Sequence, residues 1–409
     1  MKKLLASCCL VVASCFLIIN LWGCGGSTDT SATTTDPAAT TTTTSSGPAT
    51  TVDHSSISWS KSTLVSADAA GAYSSMAIDS NDKIHIAYRH NYGSGSEQLR
   101  YITNVSGSWV ESLVFGVDTS VYNSIAVDSG DNLHIAFYQT ESASYDLKYA
   151  YKETGSSTSW DIETIDSTGT VGQYNAVATD SDNNVYISYI DVTNSDLKLA
   201  SKVNGSWTTE IVDGGAMARD TSIAVGTDGT IHLAYTDNNS SLKYAYKISD
   251  ASTWTKELVD SQGSMDYASL ALDSSNTPHI AYKYNAGGDG DDGALMYSSR
   301  IGSGAWTASP TVIDDHLSAG SYCSLAIDGA DRPFIAYHIY AINASYLDSY
   351  LKVALYLDGA WTKSTVDTGD NSDDEQSGKY NSLVIDSSGR LHVSYYDEDG
   401  ANLKYAVEE

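Results

Sequence analysis

Most of the residues best suited to bind or transform a ligand follow a short apolar segment, Ile84-His-Ile-Ala-Tyr88, of which similar copies recur along the chain. Arg89-His90-Asn-Tyr92 follows the copy at residues 84–88, and Arg219-Asp220 stands where other copies carry Tyr. Tyr rings can stack on the apolar face of a sugar, while carboxylate, guanidinium and imidazole groups bind its hydroxyls. The residues that we predict to bind a ligand are Arg89, His90, Tyr92, Asp191, Arg219, Asp237, Tyr284, His338 and Asp397.

Some of these residues could also support catalysis. A His and a Tyr beside a neutralising Arg could abstract a proton next to a uronate carboxylate, as a polysaccharide lyase requires. A glycosidase needs two carboxylates about 5–10 Å apart, and Asp191, Asp237 and Asp397 could supply such a pair. A sialidase is disfavoured, because its clamp for the substrate carboxylate needs three arginines. Only Arg89 and Arg219 fall on the expected binding face.

A metal site is not predicted, although histidines recur at one position of the repeat. Tyr186 and Phe334 replace the His in two copies, so this position is expected to fill space. Calcium is considered only for two short acidic loops, at residues 289–293 and 397–400. Both lack the full twelve-residue calcium loop and its closing Glu. The recurring histidines are His85, His134, His232, His279 and His392.

An internal repeat must position all of these residues. One copy reads Tyr122-Asn-Ser-Ile-Ala-Val-Asp128, then Leu133-His-Ile-Ala-Phe137, then Leu147-Lys-Tyr-Ala150, then a segment that begins at Trp160. Four short alternating segments per copy predict four β-strands, here named a to d. The copies begin 46 to 58 residues apart, and repeats of this length are typical of propeller blades. The copies begin at Tyr73, Tyr122, Tyr174, Asp220, Tyr267, Tyr322 and Tyr380.

The predicted fold is an all-β, seven-bladed β-propeller with four antiparallel strands per blade. The last copy ends after strand c, at Val407, while Trp59 begins a strand d that precedes the first copy. This N-terminal strand is expected to complete the last blade and close the ring, which leaves only outer edges unpaired. The d–a and b–c loops then share one face. These loops vary most in length and content, so we expect the ligand site there.

The a–b hairpins carry Asp at the turn, as in Asp79-Ser-Asn-Asp and Asp386-Ser-Ser-Gly389. They resemble the hairpins of NHL-type propellers and, more loosely, the Asp-box (BNR) hairpins of sialidase-like repeats. The stretch Ile84-His-Ile-Ala-Tyr-Arg-His90, followed by Leu99-Arg-Tyr101, resembles strands b and c of ulvan-lyase-like propellers. These resemblances imply an architecture more than a chemistry, since such repeats host many functions.

The N-terminus reads as an export signal. Lys2 and Lys3 precede an apolar run that ends in Leu21-Trp-Gly-Cys24-Gly. This pattern resembles the lipobox of bacterial lipoproteins and implies cleavage after residue 23 and lipid on Cys24. Residues 24–56 are rich in Ser and Thr and predict a flexible tether to a propeller at residues 57–409. We therefore expect a protein anchored to the bacterial cell envelope, at the outer membrane or cell surface.

Charge and cysteine content narrow the partners. The formal net charge of −29 disfavours nucleic acid as a partner. In the predicted mature chain Cys323 is the only thiol besides Cys24, so no disulfide is expected between propeller residues. Our leading hypothesis is a monomeric surface module that binds carbohydrate, or else a peptide, without a cofactor. The alternatives are a polysaccharide lyase or glycosidase that acts on the same face, and a scaffold for a protein partner.

Overall fold

The computed structural model describes most of the chain beyond residue 51. These residues belong to one compact unit, Ala49–Glu409. The described residues are 52–409 except 67–68, 92–96, 117–118, 141–144, 157–158, 217–218, 287–292, 303–304, 308, 317, 343–346 and 370–376. Among them, no helix is long and apolar enough to cross a membrane.

The strands form seven separate antiparallel sheets in which neighbours in sequence pair with each other. The predicted all-β, seven-bladed propeller is confirmed, and in each blade strand a lies innermost. Strand d of blade 5 is split into two pieces. The strands, from a to d, are in blade 1 β2 (Ala70–Ile78), β3 (Ile84–Asn91), β4 (Glu97–Thr103) and β5 (Val110–Phe115); in blade 2 β6 (Thr119–Val127), β7 (Leu133–Gln139), β8 (Asp146–Lys152) and β9 (Asp161–Asp166); in blade 3 β10 (Val171–Thr179), β11 (Val185–Asp191), β12 (Asp196–Val203) and β13 (Ser206–Asp213); in blade 4 β14 (Arg219–Val225), β15 (Ile231–Thr236), β16 (Leu242–Lys247) and β17 (Thr255–Asp260); in blade 5 β18 (Ser264–Leu272), β19 (Pro278–Asn285), β20 (Gly293–Ile301), β21 (Ala305–Trp306) and β22 (Thr311–Asp314); in blade 6 β23 (Ser321–Ile327), β24 (Pro333–Ile342), β25 (Leu347–Leu357) and β26 (Ala360–Asp367); and in blade 7 β27 (Ser377–Ile385), β28 (Leu391–Asp397), β29 (Asn402–Glu408) and β1 (Trp59–Val65).

Ring closure occurs as the sequence predicts. Strand β1 pairs antiparallel with β29, from Trp59 opposite Glu408 to Val65 opposite Leu403. The N-terminal strand therefore supplies strand d of blade 7, and both ends of the propeller chain lie in one sheet.

The described residues include 52–56, which the sequence assigns to the tether, and the boundary at residue 57 stays a prediction. A short 3-10 helix at His54–Ser56 starts with the Asp53 carboxylate capping the Ser55 N–H. The His54 side chain is buried, its Nδ1 lies 2.7 Å from a Glu408 carboxylate oxygen, and its ring packs on Phe334. Composition alone could not reveal this contact, because its two partners stand at opposite ends of the domain.

The core lies between blades rather than within them. In one cluster, Leu99 and Tyr101 of blade 1 pack against Ile135 and Phe137 of blade 2. Trp160, directly before strand d of blade 2, packs edge-on against Tyr101 of strand c of blade 1 with ring centroids 5.2 Å apart. Apolar contact with both neighbours explains why strand b of blade 2 is buried at every position.

The recurring histidines are structural, as the sequence predicts. His134 is buried, its Nδ1 lies 2.7 Å from the Tyr149 hydroxyl, and its Nε2 lies 3.1 Å from an Asp128 carboxylate oxygen. Asp128 in turn accepts the Gly130 and Asn132 N–H groups and so holds the a–b turn. The imidazole thus ties strand b to strand c and to the hairpin.

Candidate functional site

A ring of seven residues, which we call the collar, projects from the strands a toward the axis of the propeller. It consists of six tyrosines and one aspartate, and all seven have positive φ, between 50° and 66°. Each lies at a break in the register of strands a and b, such as that between Ala72 and Ser75 in blade 1. A bulge of this kind re-aims a side chain. The collar residues are Tyr73, Tyr122, Tyr174, Asp220, Tyr267, Tyr322 and Tyr380.

The unusual backbone of the collar is supported by the next blade. The Asn123 side-chain amide donates to the Tyr73 carbonyl at 2.8 Å, and the Asn175 amide donates to the Tyr122 carbonyl at 2.9 Å. Left-handed φ is uncommon for residues other than glycine. Its recurrence at this position therefore indicates a conformation that the assembled ring imposes.

The tyrosine rings pack in series around the axis. Their centroids are 4.3 Å apart for Tyr122 and Tyr174, 5.4 Å for Tyr73 and Tyr122, and 4.4 Å for Tyr73 and Tyr380. The series continues from Tyr380 through Tyr322 to Tyr267 at similar spacing. Only Asp220 interrupts it, so the ring has one carboxylate where sevenfold repetition would place a seventh tyrosine.

A cavity of about 370 Å³ opens at the collar. Arg219 and Asp266 add to its lining beside Asp220 and the six tyrosines. A second space of about 220 Å³ is lined by the collar together with the residues that directly follow it, among them Asn123 and Cys323. The collar thus lies between the mouth and the interior of the central channel, and all six tyrosines keep part of their surface exposed.

The electrostatics of the cavity centre on Asp220. Burial raises the pKa of Asp220 to about 6, and the nearby Asp266 carboxylate adds to this shift. Burial also raises the pKa of Asp266, against the effects of Arg219 and Lys283. The Arg219 side chain is exposed, and no described residue forms an ion pair with it. Burial likewise raises the pKa values of Tyr122, Tyr267, Tyr322 and Tyr380, so these phenols are neutral.

Two further predicted residues lie beside the collar. The Arg89 guanidinium sits 6.0 Å from the centroid of the Tyr73 ring and is paired with Glu97. The buried His338 ring lies 6.0 Å from the Tyr322 ring, and its Nε2 contacts the Ser349 hydroxyl. Burial lowers the pKa of His338 to about 3, so this imidazole is neutral at physiological pH.

Other residues near the collar are not predicted from the sequence. The rings of Tyr138 and Tyr396 lie 6.5 and 6.3 Å from Tyr122 and Tyr380. Both occupy the position that Arg89 and His338 hold, directly after the aromatic residue that recurs in strand b of every blade. Comparing this one position across the copies would have found them. Asp266 was also missed, although it directly precedes a collar tyrosine.

The predicted acidic residues serve the b–c turns instead of the central cavity. Asp237 accepts the Asn239 and Ser241 N–H groups at 2.9 and 3.0 Å. Its Oδ2 lies 3.0 Å from the Lys243 ammonium. Asp191 accepts from the backbone and side chain of Asn194, and Asp397 accepts from the Asn402 amide and pairs with Lys404. All three are buried at their turns, and none lines the collar cavity.

The remaining predicted residues lie apart from the collar cavity. His90 is buried, and its ring lies 6.3 Å from the Tyr88 ring on the other side of strand b from Arg89. Tyr284 packs against the core cluster between blades 4 and 5. Tyr92 lies outside the described residues.

The described residues contain no group of three or more side chains suited to hold a metal ion. Most of the predicted acidic loop at 289–293 lies outside them. In the other loop, at 397–400, Asp397 is engaged by Asn402 and Lys404, as described above. Calcium at either loop stays a prediction.

Comparison with known proteins agrees with the architecture. No protein-family model matches the chain, and no curated protein sequence matches it. Among solved structures, a polysaccharide lyase of family PL25, an ulvan lyase bound to a GlcA-(1-4)-Rha3S saccharide, shares 12% identity at a TM-score of 0.58, over 83% of this chain and 94% of that chain. A protein of unknown function from Dyadobacter fermentans shares 14% identity at a TM-score of 0.50, over 85% of this chain and 97% of that chain. A mutant NanB sialidase from Streptococcus pneumoniae shares 11% identity at a TM-score of 0.44, over 82% and 67%. The likeness to the lyase and to the Dyadobacter protein is one of fold, and the resemblance to NHL and Asp-box hairpins stays a prediction.

Proposed function

We propose that this protein binds a saccharide in the cavity at the collar. The observation that carries the proposal is the collar itself, in which six partly exposed tyrosines surround one axis and a single carboxylate breaks their repetition. A residue type that recurs in every blade supports the geometry that the blades share. A protein with one binding site per molecule should instead have different residues at that position in one blade. That difference occurs at Arg219 and Asp220 in blade 4.

The chemistry of the lining suits a sugar. Tyrosine presents both an apolar ring and a hydroxyl, so it can stack on the C–H face of a pyranose and bond its hydroxyls. The Asp220 and Asp266 carboxylates accept from hydroxyls, and Arg219 donates to ring or hydroxyl oxygens. The cavity of about 370 Å³ lies within the usual range of roughly 300–1,000 Å³ for small-molecule sites.

Binding accounts for these residues better than lyase or glycosidase chemistry does. A lyase would use Arg89 and His90 together, but the two side chains lie on opposite sides of strand b and Arg89 is paired with Glu97. A glycosidase of the predicted kind would use Asp191, Asp237 or Asp397, and these carboxylates hold turns.

The proposal is tested with residues 49–409, which contain all seven blades and the closing strand. A glycan array should identify a saccharide, and calorimetry should then measure its affinity. We expect Tyr73→Ala and Tyr322→Ala each to weaken binding about tenfold or more, because each removes a stacking surface from the cavity. Tyr356→Ala, at a tyrosine that packs on Trp361 away from the collar, is the matched control and should bind normally.

Three results would change the proposal. Equal weakening by the collar variants and the control would place binding elsewhere. Appearance of an unsaturated or hydrolysed product would favour the lyase or glycosidase alternative. Absence of binding to every glycan on the array would favour a protein partner.

We further propose that the propeller is exported and lipid-anchored to the cell envelope through Cys24, with residues between Cys24 and the ordered domain as a flexible tether. The support is the basic and apolar N-terminus followed by Leu21-Trp-Gly-Cys24. Mass spectrometry of the N-terminal peptide from cells should find Cys24 first and acylated. Cys24→Ser should release the protein from the membrane fraction, and an unmodified peptide that still contains Lys2 and Lys3 would contradict the proposal.

A further inference from the structure

Asp220 has the least compensated charge in the collar cavity. Its Oδ2 accepts the Tyr267 N–H at 2.9 Å. No other described residue donates a hydrogen bond to this carboxylate or forms an ion pair with it. The carboxylate lines the cavity, so one oxygen remains available to a ligand. A carboxylate that gives up part of its hydration without a cationic partner leaves a strong site for a positively charged donor.

The charged groups around Asp220 leave the lining net negative. Asp266 also lines the cavity, and Arg219 is the only guanidinium among the described lining residues. Lys283 lies near Asp266 but does not line the cavity, and its buried ammonium donates to the Ser318 and Ser321 hydroxyls at 3.2 and 3.0 Å. The Asn285 amide donates to Asp266 at 2.9 Å, so Asp266 is better satisfied than Asp220. The overall charge of −29 also favours the approach of cations over anions.

The tyrosines add to this preference for a cation. Tyr174 and Tyr267 flank Asp220 in the ring of seven, and four other tyrosines complete the wall. Aromatic faces attract cations through their quadrupoles, and a neutral phenol can accept a hydrogen bond from an ammonium. A charged amine would therefore gain a charge-assisted bond and contacts with aromatic rings, whereas a hydroxyl at the same place would gain only a weaker bond.

We infer that the saccharide bound at the collar carries a protonated amine and that Asp220 binds this amine. The inference rests on the proposed function, because it specifies the ligand class of the same cavity. In this arrangement the amine lies deepest, beside Asp220, and Arg219 at the exposed rim contacts hydroxyls of the saccharide.

The test compares three oligosaccharides with one β-1,4-linked backbone that differ at the 2-position. Chitosan oligosaccharides carry an amine there, chitin oligosaccharides an acetamide and cello-oligosaccharides a hydroxyl. Calorimetry on residues 49–409 should show the amine form binding about tenfold or more tighter than the other two, at a pH where the amine is protonated and Asp220 is ionised. Asp220→Asn should remove this preference and retain the weaker binding of the neutral forms. Asp250→Asn, at an exposed turn residue, is the matched control and should keep the preference.

A second variant keeps the test decisive if Asp220→Asn does not fold, as judged by its melting temperature. Arg219 is exposed. Its replacement by Ala removes from the cavity a positive charge that repels a protonated amine. Arg219→Ala should weaken all three forms by a similar factor through the lost hydroxyl contacts, while the ratio of amine-form to neutral-form affinity stays the same or increases. A decrease of this ratio in the variant would overturn the inference, because removal of a positive charge from the cavity cannot weaken a cation relative to a neutral ligand.

The failure of the inference can be told from the failure of the proposed function. Equal binding of the three forms, or tighter binding of a uronate-containing oligosaccharide, would overturn the amine and leave saccharide binding intact. If no saccharide on the array or in the calorimeter binds, both proposals are wrong.

Discussion

The buried histidine of strand b is held at both ring nitrogens in four blades and at only one in blade 4. His232 contacts the Tyr244 hydroxyl through Nδ1 at 2.6 Å, as its equivalents do. Gly226 replaces the turn aspartate that contacts Nε2 in those blades, and no described group bonds the Nε2 of His232. Burial lowers the pKa of His232 to about 4, against the opposing effect of the Asp228 carboxylate.

This shift predicts a stability effect in acid. In the unfolded chain His232 takes up a proton near pH 6.5, whereas in the folded chain it does so only near pH 4. The unfolded state therefore binds more protons in this window, and the free energy of unfolding falls as pH drops through it, by up to about 3 kcal/mol from this residue. His232→Phe, which copies the residue present at position 334, should lose that part of the pH dependence.

Urea denaturation near pH 7 and near pH 4.5 measures the effect. Near pH 7 the variant should be about 1 kcal/mol less stable, because the Tyr244 hydroxyl loses its partner. Near pH 4.5 it should match or exceed the wild type. A difference between the two proteins that is the same at both pH values would mean that the His232 imidazole titrates normally in the fold.

At the scale of the strand, sequence patterns predict the positions of the strands better than the directions of the side chains at the strand ends. Alternation of apolar residues, the internal repeat and the extra strand d that begins at Trp59 predict seven four-stranded blades and the closing role of β1, and the structure confirms them. The acidic residues predicted as ligand-binding at the end of strand b lie one residue beyond the position whose side chain lies beside the collar. Side chains alternate between the two faces of a strand, so Arg89 and His338 lie beside the collar. Asp237 is one residue past the equivalent position, just beyond the end of its strand, and holds a turn.

The collar shows a second limit of sequence reasoning. The strand-a tyrosines and the exceptional Arg219-Asp220 can be found by comparing copies, and both line the cavity. The positive φ that turns the tyrosines toward the axis cannot be found this way, because tyrosine has no intrinsic preference for it. It depends on a bulge and on side chains of the next blade, such as Asn123.

At the scale of the whole molecule, serine hydroxyls join successive blades near the axis. The Ser75 hydroxyl of blade 1 accepts the Ile125 N–H of blade 2 at 3.1 Å, and the pattern recurs around the ring. The last such bond, from the Met76 N–H to the Ser382 hydroxyl at 3.0 Å, joins blade 7 to blade 1. Blade 3 carries Ala176 at this position, so its joint with blade 4 lacks the bond. The accepting serines are Ser75, Ser124, Ser222, Ser269, Ser324 and Ser382.

The ring of serines predicts how cooperatively the propeller unfolds. Ser382→Ala at the closing joint and Ser124→Ala at an internal joint each remove the acceptor of a partly buried N–H. Each should therefore lower the free energy of unfolding by about 1–3 kcal/mol. Ala176→Ser supplies the missing acceptor and should raise it by about 0.5–1.5 kcal/mol. If the closed ring unfolds as one unit, the two serine losses are similar and each urea transition stays single. A separate early transition in Ser382→Ala alone would show instead that blades 7 and 1 part first, so that the closing joint is weaker than the other joints of the ring.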